Sequence, residues 1–205
     1  MDVITTHLNA DFDALASMAA AKKFYPDAIL VFPGSQEKSV RDFLSASRTG
    51  LDLKKLRDID ITKTRRLILV DVKSPDRIGR FSELLDRKDL VIHIYDHHPF
   101  SPDDIRGQKE VIETVGATAT IFTELLKKYR IEISPAEATL LMLGIYEETG
   151  SLVFSTTTVR DISAAAYLLK KGANLNIVYQ ALSGESQAPR KSTCSTSCSI
   201  PQETM

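Results

Sequence analysis

Three short apolar runs each end in residues that bind metal ions. Val3 to Thr6 leads to His7, then Asp11 and Asp13. Leu67-Ile68-Leu69-Val70 leads to Asp71, and Val91-Ile92-His93-Ile94-Tyr95 leads to Asp96-His97-His98. Carboxylates gathered in one place repel one another unless a cation lies between them. A mixed carboxylate and imidazole set suits Mn²⁺, Fe²⁺, Co²⁺ or Zn²⁺ better than Mg²⁺ or Ca²⁺ alone. The ligands outnumber the needs of one ion. The economical reading is two ions ~3.5–4 Å apart that share a carboxylate and a water, which becomes hydroxide near neutral pH and attacks phosphorus. Singly, each stretch has a plainer use: Asp11 or Asp13 as a helix cap, Asp71 as a turn cap, Asp96-His97-His98-Pro99 as an exposed turn. Their joint placement after three strands favours the site. His93, inside its run, reads as structural.

Two further stretches could contribute. Gly116-Ala117-Thr118-Ala119-Thr120 opens a helix. Helix N-terminal amides bind anions, and glycine lets a phosphate approach; an ordinary threonine cap is the plainer use. Glu147 and Glu148 close a later helix before Thr149-Gly150-Ser151. Adjacent helical residues point about 100° apart, so one glutamate faces the crevice and the other reads as a solvated helix end. A carboxylate at a helix C-terminus is costly, which favours a cation beside it.

These residues must be positioned by the elements between them. Strands are expected at Val3–Thr6, Ala28–Phe32, Leu67–Val70, Val91–Tyr95 and Glu110–Thr114. Helices are expected at Asp13–Lys23, Glu37–Ser47, Thr118–Tyr129, Pro135–Glu148 and Val159–Lys171, the last capped by Thr157 or Thr158. Their alternation implies an α/β fold: a doubly wound, mostly parallel sheet of about five strands flanked by helices. The carboxyl ends of parallel strands share one crevice, where ligands bind. Residues 1–182 are read as one domain, and residues 183–205, rich in Ser, Thr, Gln and Pro, as a tail without a core.

The 205 residues hold 26 Lys and Arg against 27 Asp and Glu, a net charge of −1. That balance gives no global footprint for nucleic-acid or membrane binding. No apolar run nears the ~18 residues of a membrane span, and the first residues lack a signal-peptide pattern, so a cytoplasmic protein is expected. The two cysteines, Cys194 and Cys198, exclude a disulfide framework and a cysteine-only zinc site.

Taken together the motifs resemble the DHH phosphoesterase superfamily. Its first motif stands here as His7-Leu8-Asn9-Ala10-Asp11-Phe12-Asp13-Ala14, its second as Asp71, and its third as Asp96-His97-His98. Gly116 to Thr120 comes next, and Gly144-Ile145-Tyr146-Glu147-Glu148-Thr149-Gly150-Ser151 is the last. The first fifty residues are most similar to DHH domains fused ahead of CBS domains and a poly(A) polymerase or CCA-adding tRNA nucleotidyltransferase module. The resemblance implies that His7, Asp11 and Asp71 hold one Mn²⁺, and that Asp13, Asp71, His97 and Glu148 hold another, with Asp71 bridging. Co²⁺ or Mg²⁺ could replace Mn²⁺. It implies His98 at the scissile phosphate, Asp96 orienting a histidine, and Asn9, Gly116, Thr118 and Thr120 binding substrate. The family pattern has Asp where this chain has Glu148, one methylene longer. It also implies a smaller C-terminal substrate-binding domain, absent from these residues, so the chain reads as a truncated N-terminal region.

The leading expectation is a hydrolase: a two-metal phosphoesterase domain acting on a phosphodiester or phosphoanhydride, such as a nucleotide, a short oligonucleotide, a cyclic dinucleotide or pyrophosphate. The alternative is a non-catalytic module that binds metal, nucleotide or RNA, with tRNA as a partner through fused domains. A metal-free dinucleotide-binding domain lacks support, since no Gly-x-Gly-x-x-Gly or Walker sequence comes after a strand. A homodimer through a helical face is compatible with the sequence.

Overall fold

A computed structural model describes residues 1–46 and 50–183. Six strands form one sheet: β1 (Asp2–Thr5), β2 (Ile29–Val31), β3 (Leu53–Lys54), β4 (Arg66–Val70), β5 (Val91–Asp96) and β6 (Lys109–Ile112). Every pairing is parallel, in the order β3-β2-β1-β4-β5-β6. This is the doubly wound order, whose direction of winding reverses between β1 and β4. The sixth strand, unread in the sequence, is β3. Its two residues lie beside Asp52 and Lys55, too short and too polar to give an alternating pattern.

Parallel strands covered on both faces read as continuous apolar runs. One set, Ile4, Leu30, Ile68, Val70 and Tyr95, packs against α1 (Phe12–Phe24), α3 (Thr118–Lys128) and α4 (Pro135–Glu148). The alternate set, Val3, Val31, Leu67, Leu69, Ile92 and Ile94, packs against Ile61, Ile78, Phe81 and Leu84. That second cover is built largely of short 3-10 turns, including Pro75–Arg77 and Gly79–Leu84. The remaining helices are α2 (Lys38–Ala46), α5 (Val159–Lys170) and α6 (Leu175–Ser183). Of these, α6 was unread, although Leu175, Val178, Tyr179 and Leu182 recur at helical spacing; Val178 is its only fully buried residue. The expected helix end at Ser47, and the expected tail beyond Ser183, lie outside the described residues. No helix of the described residues is long and apolar enough to cross a membrane.

Caps fix where the helices begin. Asp11 accepts from Ala14 N at 2.9 Å and starts α1. Ser134 and Glu137 cap each other across the first turn of α4, with Pro135 at its first position, and Thr158 with Asp161 does the same for α5. The alanines of α1 let α4 approach closely. At Gly144 a Cβ would stand 3.0 Å from Asp13 Cα and 3.1 Å from the Cβ atoms of Ala16 and Ala119. Three helices therefore meet at the one residue without a side chain. Gly144→Val should overpack this junction and lower unfolding stability by about 1–3 kcal/mol, read as a lower urea midpoint.

Candidate metal centre

The switch point between β1 and β4 is where the ligand residues gather. Beyond β1 the chain passes through His7 and a left-handed turn at Asn9 (φ 58°) before Asp11 opens α1. Beyond β4, Asp71 is itself left-handed (φ 60°), while its N–H still donates to Tyr95 O at 2.8 Å. Asp and Asn tolerate this region better than other residues, at roughly 1–2 kcal/mol. Beyond β5 come His97 and His98.

Two imidazoles confront Asp71 from opposite oxygens. His7 Nδ1 is 2.9 Å from Leu8 O, and His97 Nδ1 is 3.1 Å from Val115 O. A carbonyl can only accept, so each Nδ1 carries a proton and each ring turns its Nε2 toward Asp71. Those Nε2 atoms are buried without hydrogen-bond partners. His7 Nε2 lies 3.3 Å from Asp71 Oδ2 and 3.5 Å from Asp11 Oδ2, and His97 Nε2 lies 3.6 Å from Asp71 Oδ1. A lone pair at either Nε2 would face a carboxylate and be repelled unless a proton or a metal cation lies between them. The donor atoms of His7, Asp11 and Asp71 lie within 4.8 Å of one another, as do those of Asp71, His97 and His98. The nitrogen and oxygen donors thus fit two divalent ions sharing Asp71.

In the metal-free chain a proton takes one cation's place. Burial alone would push the His7 imidazolium down, but the Asp11 and Asp71 carboxylates beside its Nε2 outweigh it and raise it to about 10. Asp11 is lowered: burial opposes ionisation, but His7 dominates. This pairing stabilises the metal-free fold below the ordinary histidine range and is lost as pH rises through about 10.

The other acidic residues divide their work. Glu148 Oε1 stands 3.8 Å from His97 Nε2, and burial, then the Asp71 charge, raises its carboxyl. It faces the centre but falls outside the two tight sets. Glu147 turns the other way and accepts from Phe12 N at 2.6 Å, so it is a cap for α1 rather than a solvated end. Asp13 is fully buried, and its two oxygens accept from Thr118 N and Ala119 N, both at 2.8 Å. It anchors the N-terminus of α3 to α1, and each oxygen keeps a second lone pair for an ion. Burial first, then Asp71 and Asp11, raises it well above the usual carboxylate range.

Asp96 lies one layer out. It accepts from His98 Nδ1 at 2.7 Å, from His98 N at 3.2 Å and from Lys73 Nζ at 2.8 Å. Burial opposes its ionisation, but His98 and Lys73 hold it at about 2. His98 is raised chiefly by Asp96 and is 39% exposed, the most open of these imidazoles. Lys73, 3% exposed, also donates to His98 O at 2.8 Å. Sequence reading missed it; its only signal is its place two residues after Asp71.

The residues read as substrate-binding separate. Thr118 Oγ1 donates to Asp71 Oδ1 at 2.8 Å, and Asn9 Nδ2 reaches Glu37 Oε1 at 3.5 Å. Gly116 N and Thr120 Oγ1 instead donate to Asp161 of α5, at 2.9–3.0 Å and 2.6 Å. That carboxylate fills the anion position at the glycine turn. Its sequence signal is only the capping box, which gives no hint of a second attachment. His93 is structural: its Nδ1 pairs with Tyr25 Oη at 2.7 Å.

Burial first, then Asp11, Glu37 and Glu148, pushes Glu147 up to about 7, against the lowering Phe12 bond. A raised carboxyl makes the folded chain bind more protons, so stability falls as pH climbs from about 4.5 to about 7. Glu147→Gln keeps an acceptor for Phe12 N. Thermal melts in chelator should show it flattening that decline and gaining on the order of 1 kcal/mol near pH 8.

Comparison with known proteins matches residues 3–145 to the DHH family, N-terminal domain. The A-adding tRNA nucleotidyltransferase of Geobacter sulfurreducens is 53% identical over 186 residues, covering 90% of this chain and 21% of that protein. The bifunctional oligoribonuclease and PAP phosphatase NrnA of Mycoplasma genitalium is 33% identical over 136 residues, covering 65% of this chain and 42% of that protein. A solved Methanococcus jannaschii protein, assigned to the family II inorganic pyrophosphatases, superposes with TM-score 0.72 at 25% identity, over 89% of this chain and 61% of that one. The chain thus spans about a fifth of the first relative's length. Fold, ordered motifs and matched residues agree: the chain belongs to the DHH family of phosphoesterases, within its N-terminal domain.

Proposed function

We propose that this chain is a two-metal phosphoesterase domain that hydrolyses a phosphodiester or phosphoanhydride, with Mn²⁺ as the preferred ion. The carrying observation is Asp71, faced at each oxygen by a buried, unpartnered imidazole Nε2. Hydrolytic relatives, an oligoribonuclease and a pyrophosphatase, support the same chemistry. His7, Asp11 and Asp71 hold one ion; Asp71 and His97 hold the other, with Glu148 and Asp13 beside them. Bound there, divalent ions supply a water of lowered pKa and charge stabilisation at phosphorus.

The protein's own groups do the rest. His98, open to the crevice and with its imidazolium favoured by Asp96, bonds a non-bridging oxygen of the phosphate or protonates the leaving oxygen. Asp96, fixed by Lys73, holds the ring by Nδ1 and leaves Nε2 for the substrate. Thr118 Oγ1 keeps Asp71 from swinging away from the two histidines. Nucleotides or short oligonucleotides are the proposed substrates. A second reading, metal or nucleotide binding without turnover, is favoured by Glu148 standing where the family has Asp.

Hydrolysis of bis-p-nitrophenyl phosphate under saturating Mn²⁺ separates the two readings. Wild type should turn over; Asp71→Asn should lose activity and metal binding together. His98→Gln should keep metal binding but lose about a hundredfold or more in kcat. Mn²⁺ binding with no turnover supports the second reading. Loading should also expel a proton from His7, about one per chain near pH 7.5. Calorimetry in two buffers of different ionisation enthalpy measures it.

A further inference from the structure

Away from the metal centre, the ends of α3 and α5 frame an open groove of about 730 Å³. Lys127, Arg130, Lys170 and Lys171 line it, with Tyr167 and a single carboxylate, Glu132. Lys127 Nζ and Lys171 Nζ stand 5.6 and 5.7 Å from the centre of the same Tyr167 ring. Glu132 pairs with Lys171 at 2.9 Å. Lys127, Arg130 and Lys170 make no ion pair among the described residues, and neither does neighbouring Lys128.

Several other cations among the described residues are neutralised. Arg160 bonds Glu113 and Glu124, Lys73 bonds Asp96, Lys23 bonds Glu137, and Arg66 bonds Asp2. Exposed Lys55, Arg65, Arg77, Lys88 and Lys109 are not, but they do not line one groove as Lys127, Arg130 and Lys170 do. Lysines in the last turn of a helix complement its dipole, which accounts for one or two at each end. It does not account for two helix ends converging on one groove. Nor does it account for Arg130, which lies past the end of α3 in the left-handed region (φ 55°), where glycine or asparagine is the usual residue.

We infer that this groove binds the phosphodiester backbone of a nucleic acid, at a site separate from the metal centre. Several unneutralised cations along an open channel match a ligand with repeated charge rather than one enclosed anion. The exposed Arg130 guanidinium offers a planar surface on which a base stacks. Ile131 and Ala166 are the only aliphatic side chains in its lining, against four cations and one carboxylate, so charge rather than apolar area dominates the groove. The two sites sit at opposite ends of α3: Thr118 bonds Asp71, and Lys127 lies nine residues on, about 14 Å along the axis. The near-zero net charge of the whole chain conceals this local excess.

The test uses the whole chain in chelator, so that no metal contributes, with a fluorescein-labelled single-stranded RNA of mixed sequence read by anisotropy. Binding should weaken with salt at a log–log slope of about −2 to −3, as for three or four neutralised phosphates. The double variant Lys127→Glu/Lys170→Glu should bind tenfold more weakly or worse, with unchanged circular dichroism. If it does not fold, Arg130→Gln offers a milder loss, about threefold. DNA of the same sequence binding equally supports readout of the backbone alone, and tighter RNA binding supports added 2′-hydroxyl contacts. Absence of salt-dependent binding to both, or full affinity in the charge-reversed chain, overturns the inference. So does a polyglutamate peptide that binds as tightly as RNA and displaces it, because the groove would then be an acidic-protein surface. Each arm is read without turnover, so failure here leaves the phosphoesterase reading untouched.

Discussion

The centre of this structure is a repulsion. Two imidazoles, each pinned by a backbone carbonyl at Nδ1, aim lone pairs at the two oxygens of one carboxylate. Nothing in the surrounding protein relieves both contacts. A proton relieves one in the metal-free chain, as the raised His7 shows. Positive charge is therefore a structural component here, and the chain supplies a setting in which divalent ions are the natural way to complete it. The outer layer answers the same demand: Thr118 holds Asp71, and Lys73 holds Asp96, so that the ligands keep their places.

The fold serves that arrangement by geometry. Reversal of the winding between β1 and β4 leaves the ends of these strands uncovered by a crossover, and both lead into residues that could hold a metal ion. The helices then close in from one side. Asp13 ties the start of α3 to α1, Glu147 ties the end of α4 to the start of α1, and Gly144 lets all three approach. Acidic side chains stand at helix N-termini in two of these ties, where the dipole favours them. The helices around the candidate ligand residues are thus joined to one another by carboxylates too.

Much of this was legible in the sequence because it depends on strand ends. Apolar runs of four or five residues mark β1, β4 and β5, and the residues just after each run must lie at the same edge of the sheet. The split of Glu147 from Glu148 was legible from helical rotation alone. The features that stayed hidden depended on contacts distant in sequence. The glycine turn at Gly116 has the composition of an anion site, but 45 residues separate it from Asp161, the group that occupies it. Lys73 is an ordinary lysine until Asp96 is placed against it. The edge strand β3, two residues long, is too short to leave a periodic trace, whereas the apolar spacing of α6 was there to be read.

Asp161 has a consequence for how a phosphate group can sit. Its carboxylate is bonded by Gly116 N, Thr120 Oγ1, Thr158 N and Thr158 Oγ1, and it is fully buried. The Gly116 turn is thereby closed to an outside anion, and the next amides of the helix start, Thr118 N and Ala119 N, are taken by Asp13. Two carboxylates from other helices, Asp13 of α1 and Asp161 of α5, thus stand where a bound anion would otherwise complete the start of α3.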